Sequence, residues 1–71
     1  MSKIPKKPRV EILARQARNG DGWKTIDIHV AEEPPCWVAT FETQGIKVNV
    51  GGRTKGRAVR NAQRKFAEMN A

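Results

Sequence analysis

The chain has one cysteine, Cys36, one histidine, His29, no tyrosine, and only two tryptophans and two phenylalanines in 71 residues. A lone cysteine excludes an internal disulfide framework. One cysteine with one histidine cannot complete a tetrahedral metal site, so neither a metal nor another cofactor is expected. No apolar run approaches the roughly 18 residues of a membrane span, which argues against a membrane partner. The opening MSKIPKKPR is basic but has no apolar stretch, so no secretory signal and a cytoplasmic location are expected. At this length and with so few aromatics the core must be small, and its stability marginal.

Acidic residues are also scarce, with seven against fourteen Lys and Arg, for a formal net charge of +7. The imbalance is unevenly spread. Residues 1–20 carry six Lys/Arg and one acid, net +5; residues 21–50 carry two and five, net −3; residues 51–71 carry six and one, net +5. An acidic partner would therefore touch the two ends and spare the middle, and nucleic acid is the commonest such partner.

Residues 1–8, with three lysines and two prolines, read as a basic flexible arm and a loose electrostatic tether; residues 9–71 read as a single domain. In RVEILARQARN, Val10, Leu13, Ala14 and Ala17 follow the i, i+3, i+4, i+7 spacing of one helix face, with Pro8 at the start and Gly20 as the stop. Ile12 falls on the opposite side of that helix. In WKTIDIHVAEE, Ile26, Ile28 and Val30 alternate with polar residues, which predicts a half-buried strand. WVATFET is the second strand, with Trp37, Ala39 and Phe41 on one face. IKVNV is the third, joined to the second by a tight Gln44-Gly45 turn as a hairpin. Thr54 is placed as the N-cap of a last helix, whose Ala58, Val59, Ala62, Phe66 and Met69 share one face. The expected fold is α+β: a three-stranded antiparallel sheet with two helices on one face, in the order α-β-β-β-α.

The last helix carries the chemistry. Gly51 and Gly52 allow close approach, and a helix start offers unpaired N–H groups and partial positive charge to phosphate. Arg53, Thr54, Lys55, Arg57, Arg60 and Arg64 surround or follow that point, and the planar guanidinium suits phosphate oxygens. A basic helix face is usually only solvated. The cap, the glycines and the basic arm together favour a grip on phosphate.

PPCWVATF, residues 34–41, and GRTKGRAVRNAQ, residues 52–63, resemble two motifs of the double-stranded RNA-binding domain. Pro35 and Phe41 match in the first; Gly52, Lys55, Ala58 and Ala62 match in the second, with Thr54 in place of serine. The family's loop histidine is Trp37 here, and two of its lysines are Gly56 and Val59. The resemblance implies shape-selective binding of double-stranded RNA. The basic helix start would bridge phosphates, and Glu11, Arg15 or Gln16 of the first helix would reach a minor groove. Duplex DNA is the alternative nucleic acid. A small regulatory or inhibitory protein-interaction module on the same fold is the alternative class, motivated by the lost histidine and lysines and by Ile12 and Val38 on exposed faces.

The other candidates read more blandly. Trp23 and Trp37 are placed in core or rim packing. The outer sheet face, with Thr25, Asp27, His29, Val38, Thr40, Glu42, Lys47 and Asn49, is too mixed to lie on a phosphate backbone in the manner of three-stranded DNA readers. Asp27 beside His29 has no nucleophile placed with it, so no enzyme is expected.

Overall fold

The computed structural model describes residues 10–71; the arm assigned to residues 1–8 lies outside the described residues. Four strands follow one another as an antiparallel meander: β1 Val10–Asn19, β2 Gly22–Glu33, β3 Cys36–Thr43 and β4 Ile46–Gly52. One helix, α1 Lys55–Met69, closes the chain and packs on one face of the sheet. The fold is α+β, but the sheet has four strands and the described residues hold one helix, not two.

The correction falls on RVEILARQARN. Val10–Asn19 is a strand that pairs with β2 residue by residue, from Val10 opposite Ala31 to Asn19 opposite Gly22. Its helical spacing was real but incidental. Leu13 and Ala17 turn toward α1 along with Glu11 and Arg15, while Val10, Ile12 and Ala14 turn away. Both faces of the strand are therefore mixed, and no period-2 signal survives. Pairing with β2 overrides the weak local preference. The sequence did hold a cue: Asn19-Gly20-Asp21-Gly22 is hairpin-turn chemistry between two β-branched segments.

The core lies between the sheet and α1. Ile26, Ile28 and Val30 of β2 meet Ala39 and Phe41 of β3 and Ala58, Val59, Ala62 and Phe66 of α1. The strand and helix faces expected for these residues are the ones observed. The β3–β4 hairpin turns on Gln44 and Gly45, both at positive φ (54° and 75°), as a two-residue primed turn requires. Gln44 extends its amide to the Met69 carbonyl and to the Asn70 side chain, and the Gly20 N–H donates to the Asn70 carbonyl at 2.8 Å. The C-terminus of α1 is thus tied to the β1–β2 and β3–β4 turns.

Gly52 ties down its other end. A Cβ placed there would lie 2.5 Å from the Ala58 nitrogen and 2.8 Å from its Cα, whereas one on Gly51 would meet nothing closer than 3.8 Å. The obstacle at Gly52 is helix backbone, so relief requires α1 to move. Gly52→Ala is expected to cost about 1–3 kcal/mol, as overpacking does. Gly51→Ala is expected to change little. Urea denaturation of the two variants checks the contrast, and equal midpoints would contradict it.

Candidate nucleic-acid interface

Thr54 is extended, at φ −128°, and its hydroxyl oxygen accepts from the Arg57 N–H at 3.1 Å. It caps α1, and that lone pair serves the helix. Gly52 accommodates the chain's own helix start, so its close approach is explained by packing before any ligand is considered. Lys55 is ion-paired with Glu11 of β1. Both side chains are well exposed, so the pair adds little stability, but it neutralises the lysine locally.

The arginines are differently placed. Arg57, Arg60 and Arg64 share the solvent face of α1, and Arg53 stands in the exposed link before it. None of the four contacts a carboxylate among the described residues. Arg64 donates a long hydrogen bond, 3.4 Å, to the Asn61 side chain, whose amide donates in turn to the Gly51 carbonyl at 2.9 Å. From Arg57 to Arg64 the row spans about 10 Å along the helix axis. A length of duplex that long presents about six phosphate charges.

The three residues assigned to a first helix do not act together. Glu11 and Arg15 lie on the α1 side of β1, and Gln16 lies on the opposite side. Glu11 holds Lys55, Arg15 donates to the Ala14 carbonyl at 3.0 Å, and the Gln16 carbonyl accepts from the Gln63 side chain at 2.9 Å. No helix is present here to carry them into a minor groove.

The open face of the sheet differs from the helix side. It is a shallow hollow of about 510 Å³, with Val10 and Val38 toward one end and Thr25 and Lys47 toward the other. Asp27 and His29 lie there, exposed. Trp37 packs against the core, but Trp23 does not: it is 62 % exposed, and the Arg18 guanidinium lies 5.1 Å from its ring centroid. Residues 18 and 23 meet only because β1 is a strand, so a helical reading could not find the pair.

No family model, curated protein or solved structure matches the chain.

Proposed function

We propose that the protein binds duplex nucleic acid, gripping its phosphate backbone with Arg53 and the Arg57, Arg60 and Arg64 row of α1. The observation that carries this reading is the row itself: three guanidiniums on one exposed helix face, with no carboxylate partner among the described residues. The formal charge of +7 supports it, since a duplex gathers such a protein by releasing its own counterions. Selectivity for RNA rested on a helix reaching a second groove, and that segment is β1; the arginine row supports a backbone grip on either duplex.

The test is a fluorescence-anisotropy titration of labelled duplexes at about 50 and about 200 mM salt. Binding at the lower salt is expected, with log affinity falling by about 0.9 per phosphate contact for each unit of log salt. Absence of binding at the lower salt would refute the proposal. A protein-interaction role is the second reading, favoured by Val10 and Ile12, exposed at 54 % and 61 % on the same face. Nuclease-resistant co-purification of one stoichiometric protein would favour it instead.

A further inference from the structure

The β2–β3 ladder begins only at His29 opposite Thr40, so Gly22–Ile28 of β2 is paired with β1 alone. Leu13–Asn19 and Gly22–Ile28 therefore form a two-stranded ribbon of seven residue pairs. That is about 20 Å of strand. One face of the ribbon is fixed to α1: Ala17, Ile26 and Ile28 are buried, Gln63 bonds the Gln16 carbonyl, and Asn70 bonds Gly20. The other face is open and carries Ala14, Gln16, Arg18, Trp23, Thr25 and Asp27, all exposed.

We propose that this ribbon enters the major groove of B-form DNA and reads base edges with Arg18, Gln16 and Thr25. The proposal goes beyond the duplex-binding reading above: this open face points away from α1, whose arginine row lies on its far side, so the ribbon is a second duplex-contacting surface. Three features favour it. The B-form major groove admits a two-stranded ribbon, whereas the A-form groove of RNA is too deep and narrow for side chains. The side chains are of base-reading kind: arginine donates two bonds to guanine O6 and N7, glutamine pairs with adenine, and the threonine methyl packs on thymine. Arg18 is also pre-organised. Its guanidinium carbon lies over the Trp23 ring, 5.1 Å from the centroid, so a cation–π contact holds the side chain on the open face. An indole that adds nothing to the core thus has a role in holding that arginine. Arg15 and Lys24, exposed on the ribbon's other side, supply positive charge for flanking phosphates.

The full chain is used to select from a pool of DNA duplexes with a randomised centre. The winner is then compared with an unrelated DNA duplex, an RNA duplex of the same sequence and a single strand. A short guanine-containing motif is expected to be enriched and bound at least about tenfold more tightly than the RNA duplex. Arg18→Ala and Trp23→Ala should each weaken the selected duplex about tenfold and the unrelated duplex little. Replacing the motif guanine by 7-deazaguanine, which lacks the N7 acceptor, should weaken the wild type and leave Arg18→Ala unchanged. An unenriched pool, a preference for RNA duplex or single strand, or an unaltered Arg18→Ala variant overturns the proposal. If duplexes bind through the α1 arginines while the pool stays unenriched, base reading falls and the backbone grip stands. If no duplex binds at low salt, both fall.

Discussion

Phe66→Ala is expected to leave the domain with little or no stable fold at 37 °C. Phe66 is 2 % exposed and stacks edge-on against Phe41, with ring centroids 5.9 Å apart and planes at 66°. These are the chain's two phenylalanines; the other buried hydrophobic side chains are alanine, valine and isoleucine. The two rings therefore fill the middle of the single layer between sheet and helix. Truncating a buried phenylalanine costs about 3–5 kcal/mol, through lost transfer energy and the cavity left behind. A domain of this length has about 4–10 kcal/mol in total. The loss corresponds to a Tm lower by at least about 12 °C. Ile12→Ala is the control, because Ile12 is exposed on the open face and its truncation should stay within about 0.5 kcal/mol. Thermal melts by circular dichroism check the pair. A Phe66 variant that melts with the Ile12 variant would mean that α1 does not seal the core.

The combined replacement Arg57→Ala, Arg60→Ala and Arg64→Ala is expected to weaken sequence-independent duplex binding without harming the fold. All three side chains are exposed, and alanine is the best helix former, so α1 should keep or gain stability. Three phosphate contacts are worth about 2–3 units of the log affinity against log salt slope. Affinity at moderate salt should fall at least about tenfold, for DNA and RNA duplexes alike, because phosphate contacts carry no sequence information. This uniform loss separates the helix from the ribbon, where a single substitution should act only on the preferred sequence. An unchanged slope in the triple variant would place the phosphate contacts elsewhere.

The two ends of the chain were unequally legible. Residues 54–69 declare their structure locally. Thr54 caps, Ala58, Val59, Ala62 and Phe66 recur at helical spacing, and the arginines fall on the opposite arc; each of these follows from dihedral preference and a 3.6-residue period. The same holds for Ile26, Ile28 and Val30, whose alternation marks a face that must be buried. Residues 10–19 declare nothing so clearly. Each face of β1 mixes apolar and charged side chains, because one is only partly covered by α1 and the other is open. Arg15 and Glu11 could sit on the covered side without being desolvated, and this erased the alternation.

Several functional assignments moved for the same reason. Lys55, a candidate phosphate ligand at the helix start, is ion-paired with Glu11 of β1, a contact between residues far apart in the chain. Gly52 looked like a ligand-approach glycine, but the approaching backbone is that of Ala58. Trp23, expected in core or rim packing, is 62 % exposed, and strand pairing sets it opposite Arg18 on the open face.

By itself the sequence determined the basic ends, the β2 and β3 core faces, the hairpin turn at Gln44-Gly45 and the amphipathic helix with its row of arginines. Charge, periodicity and capping are properties of neighbours along the chain. Only the tertiary structure decided that residues 10–19 form a fourth strand, that Lys55 is paired, and that Arg18 lies over Trp23. Those outcomes depend on contacts between residues distant in the chain, and a strand with no buried stripe of its own takes its conformation from the partner it hydrogen-bonds.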